Sequence, residues 1–176
     1  MNDTPPSQSD QFAAWLREHG RILHHVAHGF AAGSDREDLM QELLLALWQA
    51  IPRFAGESTP ATFIYRVAHN TALTWKRTQK NYQRRLDTFE VTLDKSSRVD
   101  PPGAGLREAE TLELVYALIR EFPPVDRSLL LLHLDGIAYT EIAALHGLSV
   151  SNVGVRLNRL KQKLTSSLHS VSHELR

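Results

Sequence analysis

Arg66, His69, Asn70, Leu73, Arg77 and Lys80 recur at helical spacing on one side expected to be exposed, and Tyr65 and Tyr82 lie near the same stripe. Cationic side chains bind backbone phosphates, whereas amides and aromatic rings bond with or stack on bases that have lost their partners. The set therefore suits single-stranded nucleic acid better than duplex alone, although a solvated charged face would contain the same residue types. A second constellation lies nearer the C-terminal end. At 100° per residue, Ser151, Asn152, Val155, Asn158, Arg159 and Gln162 share one helix face, opposite Val153, Leu157, Leu160 and Leu164. Hydrogen-bonding groups with one methyl-rich side chain are what base edges in a major groove require, and Arg156, Arg159, Lys161 and Lys163 add charge for phosphates. Histidines supply the remaining chemistry. His24 and His28, like His169 and His173, stand four residues apart, as helical metal-ligand pairs do. Neither pair has a third ligand beside it beyond His25, which points elsewhere, so these histidines read as structural and no metal is expected. There is no nucleophile motif, phosphate-binding glycine loop or carboxylate cluster, so neither catalytic residues nor a cofactor are expected.

The elements that must hold these residues are helical throughout. Phe12, Trp15, Leu16, Ile22, Leu23 and Val26 give residues 11–31 a helical period, as one helix or as a pair broken near Gly20. Ser34 or Asp35 is a candidate N-cap for a helix over 36–51. On it Asp38, Gln41, Glu42, Leu45 and Gln49 form one narrow polar stripe, and Leu39, Met40, Leu43, Leu44, Leu47, Trp48 and Ile51 form the expected core. An exposed leucine among acids and amides would suit a protein partner. Pro52 and Gly56 break this helix. Ser58 or Thr59 then caps another that starts at Pro60 and runs to about Tyr82, with Phe63, Ile64, Val67, Ala68, Thr71 and Trp75 buried.

Residues 86–106 lose the helical period and carry Pro101, Pro102, Gly103 and Gly105, which marks a flexible linker. Helices follow over 107–122, 124–134, 139–146 and 149–168. The last two have the layout of a helix-turn-helix: Ile142 and Ala143 pack on the second helix, Gly147 makes the left-handed turn and Ser149 caps. The expected fold class is all-α, with two small helical domains over 1–85 and 107–176.

Charge supports two separate contacts. The chain has 20 basic and 20 acidic residues, yet 1–50 hold 3 basic and 7 acidic, 51–90 hold 7 and 3, 91–150 hold 5 and 9, and 151–176 hold 5 and 1. A polyanion responds to patches within a Debye length, ~8 Å at physiological salt, so zero net charge does not exclude nucleic acid. With no cysteine, disulfides and thiol sensing are excluded. No apolar run approaches the ~20 residues that span a bilayer, and the polar start has no signal-peptide core. A cytoplasmic location without membrane insertion is expected.

Read together, DREDLMQELLLALW, RFAGEST, FIYRVAHNTAL and FPPVDRSLLLLHLDGIAYTEIAALHGLSVSNVGVRLNRLKQKL resemble, in order and spacing, the extracytoplasmic-function group of bacterial RNA polymerase sigma factors. The resemblance implies an N-terminal domain that binds core RNA polymerase and melts the minus-ten promoter element, and a C-terminal domain that reads the minus-thirty-five element. It implies that Asp38, Gln41, Glu42, Leu45 and Gln49 face the polymerase. Gly56, Glu57 and Ser58 would belong to a pocket for a flipped-out base, Asn70 would read bases beside it, and Tyr65, Arg66, Lys76 and Arg77 would hold the strand. Extruding a base costs a few kcal/mol, which hydrogen bonds and stacking in a pocket can offset. The minus-thirty-five face would be Ser151, Asn152, Val155, Asn158, Arg159 and Gln162. An anti-sigma factor, often membrane-bound in this group, is an implied partner. The chain departs from the group where Gly154 replaces a common basic residue, Val155 a small polar one, Ala138 a hydroxyl cap and Thr74 a common acid. Two other readings stay open here: a stand-alone helix-turn-helix regulator of duplex DNA, and a helical protein-interaction module.

Overall fold

The computed structural model describes residues 7–89 and 106–174, with side chains described over 7–81 and 109–170. The elements are α1 (Gln8–Phe30), α2 (Ser34–Ala50), a 3-10 turn (Ile51–Arg53), α3 (Pro60–Phe89), α4 (Leu106–Glu121), α5 (Pro124–Leu134), α6 (Tyr139–His146) and α7 (Val150–Glu174). Among the described residues the chain is all-α. Of the expected linker, 86–89 and Leu106 are helical, and 90–105 lie outside the described residues.

α1 is one uninterrupted helix, not a pair. Its buried stripe of Trp15, Ile22, Leu23, Val26, Ala27 and Phe30 continues past Gly20. Burying side chains of that size, each stabilising by about 1.5–3 kcal/mol, outweighs the ~1 kcal/mol that a mid-helix glycine costs. α2 begins one residue earlier than its expected caps, with Gly33 as the cap at φ +55° and Ser34 already helical. The positive φ at Gly33, with ψ −140°, is a conformation glycine reaches without a Cβ clash, and it turns the chain directly from α1 into α2. α3 is also longer than expected, reaching Phe89.

α1, α2 and α3 form a three-helix bundle around Leu39, Leu43, Leu47, Ile64 and Ala68. In the second bundle α5, α6 and α4 pack on α7 through Val153, Leu157 and Leu160. The helix-turn-helix forms as its sequence requires. Ile142 and Ala143 are buried, Gly147 adopts φ +63°, and the Ser149 hydroxyl accepts from the Asn152 amide at 3.2 Å. Ala138 caps α6 with no side-chain hydrogen bond. The bundles share one continuous apolar core, because α1 and α3 pack on α4 and α5.

Gly154 lies inside α7, and a Cβ there would meet only the Tyr139 ring, at an ordinary 3.8 Å. Gly154→Ala is therefore expected to stabilise the protein by ~1 kcal/mol through helix propensity. Calorimetry should record a melting temperature about 2–4 °C higher.

Candidate nucleic-acid interface

Asp38, Gln41, Glu42, Leu45 and Gln49 are all exposed on α2, with Leu45 52% accessible. The opposite side buries a narrower set than its composition suggests. Leu39, Leu43, Leu47 and Ile51 are buried, Met40 and Leu44 partly so, and Trp48 remains 38% exposed. Trp48 belongs to the rim, its ring meeting the edge of Phe12 at 5.3 Å. α2 thus carries two exposed apolar side chains beside its acids and amides.

The turn before α3 is clamped from below by aromatic rings. Phe54 precedes it, Phe63 follows it, and Trp15 of α1 contacts both, with ring centroids 5.0–5.8 Å apart. Above these rings Gly56 adopts φ +74°, Glu57 is exposed and Ser58 is half-buried. Thr59 is the cap of α3, its hydroxyl accepting from the Thr62 amide at 3.2 Å. Arg66 is exposed and its guanidinium lies 5.5 Å over the Phe63 ring, which ties it to the turn through a cation–π contact. Asn70, one turn further, is exposed and borders two cavities. One, of about 400 Å³, is shared with Glu42, Thr74 and Trp75; the other, of about 200 Å³, with Arg66, Leu145 and His146. Arg77 is exposed. Lys76 turns inward at its tip, its ammonium donating to the Phe30 carbonyl at 3.4 Å, and burial followed by repulsion from Arg127 lowers its pKa.

Tyr65 requires correction. It is buried, 1% exposed, and its hydroxyl donates to the Ser128 carbonyl at 3.1 Å, so it does not stand on the exposed stripe. Burial raises its pKa, opposed by the Ser128 hydrogen bond. His69 moves with it, half-buried, with Nδ1 2.6 Å from the Ser128 hydroxyl. Leu73 and Trp75, expected on opposite sides, are both partly buried against the core. Helical period alone could not place these residues, since α5 and α6 cover a side of α3 that a lone bundle would leave to solvent.

On α7 Ser151, Asn152, Val155, Asn158, Arg159 and Gln162 are all exposed, with Val155 at 50%. Arg156, assigned above to phosphates, instead binds the Asp126 carboxylate, with Nη2 at 2.6 Å and Nε at 3.1 Å. Arg159 and Lys163 flank that pair in a shallow groove.

Two histidines of α1, His25 and His28, serve the contact between bundles. His25 Nδ1 lies 2.7 Å from the buried Asp135 carboxylate. His28 accepts from Arg36, which also donates to Glu113 at 2.7 Å. No three potential ligands cluster as a metal site among the described residues, and the His173 side chain lies outside them. Arg120 and Glu113 were not foreseen. Arg120 donates to the His28 and Ala31 carbonyls at 2.8 and 3.4 Å and to Glu113 at 2.9 Å. Burial would raise the Glu113 pKa, but hydrogen bonds from Arg120 and Arg36 prevail and hold it below the usual carboxylate range.

His69 makes stability acid-sensitive. Burial, then repulsion from His146 and Arg127, lowers its pKa to about 4. Below its ordinary value of about 6.5 the unfolded chain takes up a proton that the folded chain refuses until about pH 4, so stability present above 6.5 is lost across that window. Urea midpoints should fall from pH 7 to pH 5, and fall less in His69→Asn.

Comparison with known proteins accounts for this arrangement. Residues 15–82 match the family model Sigma-70 region 2, and residues 112–164 match Sigma-70, region 4. The chain is 28% identical over 166 residues to the ECF RNA polymerase sigma-E factor of Escherichia coli (strain K12), covering 84% of this chain and 83% of that one. It is 25% identical over 170 residues to the RNA polymerase sigma factor NccH of Alcaligenes xylosoxydans xylosoxydans, covering 93% and 91%. The fold is shared with the sigma factor RpoE solved with the anti-sigma factor NepR from Bartonella quintana, at TM-score 0.66 and 18% identity, over 93% of this chain and 98% of that one. It is also shared with CnrH, solved with the cytosolic domain of CnrY, at TM-score 0.57 and 22% identity, over 90% and 88%. Two matched regions in the family's order, on the family's fold, make this chain a member of the sigma-70 family of transcription initiation factors, in its extracytoplasmic-function group.

Proposed function

We propose the following division of labour for a chain that directs RNA polymerase to promoters. The polar stripe of α2, formed by Asp38, Gln41, Glu42, Leu45 and Gln49, docks on core polymerase. The turn Gly56-Glu57-Ser58, with Arg66, Asn70, Lys76 and Arg77, captures the unpaired strand of the minus-ten element. The outward face of α7, formed by Ser151, Asn152, Val155, Asn158, Arg159 and Gln162, reads the minus-thirty-five element. The functional domains are residues 1–85 and 107–176, joined by 86–106. Tyr65 has no place in this surface.

The observation that carries the reading is the cavity shared by Glu42 and Asn70. It makes the docking stripe and the base-reading helix adjoining surfaces, so polymerase bound at one would hold the melted strand over the other. Base-specific hydrogen bonds need exposed amides and hydroxyls, which the turn and α7 present, while the cations near them supply phosphate contacts. Directing polymerase to a promoter requires no bond cleavage by the chain, and we assign it no catalytic residue. Among the described residues no helix is long and apolar enough to cross a membrane. Promoter DNA and polymerase place the working site in the cytoplasm. An anti-sigma factor is the expected regulatory partner, since the structurally similar RpoE was solved with one. The partner of CnrH is a cytosolic domain, which suits a regulator whose remainder lies elsewhere, including in a membrane.

Two substitutions separate the roles. Leu45→Glu should weaken binding to core polymerase at least tenfold, as loss of a central interface contact does, in an equilibrium binding assay. Asn70→Ala should leave core binding unchanged and lower initiation from a cognate promoter about tenfold, a loss of 1–3 kcal/mol being typical of one base contact. Failure of the chain to bind core at any salt would overturn the assignment. Free-chain affinity for duplex of ~10⁻⁸ M or tighter would instead identify a stand-alone regulator.

A further inference from the structure

We infer that Asp126 is a brake on α7: it holds the Arg156 guanidinium off the DNA backbone, so that the outward face grips duplex through one phosphate fewer than its sequence provides. This rests on the assignment of that face to the minus-thirty-five element.

Arg156, Arg159, Lys161 and Lys163 are the cations of this stretch of α7. At 100° per residue, Arg159 stands about 40° from Val155 on the outward face, and Lys163 and Arg156 about 80° and 100° round the same side. That places all three at the edge of a helix lying in a major groove, where backbone phosphates flank the bases. Arg159 and Lys163 are exposed there, beside a shallow groove of about 180 Å³ completed by Asp126, Arg156 and Leu160. Arg156 is already engaged: Nη2 and Nε both donate to Asp126 Oδ1, at 2.6 and 3.1 Å.

The pair resists exchange. Its side chains are 35% and 20% exposed, so salt and water screen it less than they would an open surface pair. Asp126 stands in the first turn of α5, where the helix dipole favours a carboxylate, and the buried row from Arg127 to Leu132 fixes that helix in the core. A phosphate competing for Arg156 must displace a carboxylate already in place and then face it uncompensated. Arg159 and Lys163 meet no such competitor. Backbone contacts strengthen binding to every sequence alike, so withholding one keeps the non-selective part of the grip small.

The test compares holoenzymes by anisotropy, over a salt series, on a labelled promoter fragment selected with the unaltered chain and on the same fragment with its minus-thirty-five element scrambled. Each phosphate contact adds about 0.9 to the salt dependence of duplex affinity. Asp126→Asn should therefore bind both fragments more tightly at low salt, and lose about 3.5-fold more affinity than the unaltered holoenzyme over a roughly fourfold rise in salt. Combining Asp126→Asn with Arg156→Gln removes the pair at constant net charge and should restore the unaltered affinity and slope. Glu121→Gln removes an exposed acid bordering Arg159 and Lys163 without releasing an arginine, and should leave the slope unmoved. The brake is overturned by weaker binding of Asp126→Asn at low salt, by a gain confined to the intact element, by a gain that persists in the double variant, or by an equal gain from Glu121→Gln. Failure of the underlying assignment has its own signature: Arg159→Gln then leaves the slope unmoved, where a duplex-facing α7 requires a decrease of about 0.9, and the brake falls with it.

Discussion

The last turn of α1 presents carbonyl groups that no residue of α1 can satisfy, and cations from three other helices converge on it. Arg120 of α4 donates to His28 and Ala31, Lys76 of α3 donates to Phe30, and Arg127 of α5 lies 4.8 Å over the Phe30 ring. Positive charge at a helix C-terminus is favoured by both the free carbonyls and the helix dipole. These contacts fix the end of α1 to both bundles at once. They set how α3 lies beneath the second bundle, and so which side of α3 faces solvent.

The three cations also constrain one another. Burial and repulsion from Arg120 lower the pKa of Arg127, and Lys76 is affected by burial and then by Arg127. Glu113 offsets part of this repulsion by holding Arg36 and Arg120 together. A cluster of mostly like charges is tolerable when each is tied to carbonyls or a carboxylate, as Lys76, Arg120 and Arg127 are here.

Much of the fold was legible because it is local. The core stripes Leu39, Leu43 and Leu47, and Val153, Leu157 and Leu160, follow from helical period. Gly147 and Ser149 mark the turn between α6 and α7 by conformational preference and capping. The polar stripe of α2 and the outward face of α7 were legible for the same reason, since each lies opposite a buried row. What was missed involves contacts distant in sequence. Tyr65 and His69 meet Ser128 some sixty residues away, and nothing in the period of α3 announces that partner. Arg156 looked like a phosphate ligand until α5 brought Asp126 to it. Trp48 looked like core because it is large and apolar, but size does not say whether a neighbouring helix reaches far enough to cover it.

The aromatic triangle of Trp15, Phe54 and Phe63 separates the fold from the loop above it. Rings pin the chain at both ends of the turn, while Glu57 at its tip is exposed to solvent. Side chains at the tip therefore contribute little to the core and can change without unravelling the helices that carry them. Where selection acts on which promoters are recognised, such a loop can accumulate substitutions one at a time, each tolerated by the same scaffold. Related chains could then diverge in the genes they serve while keeping a common architecture.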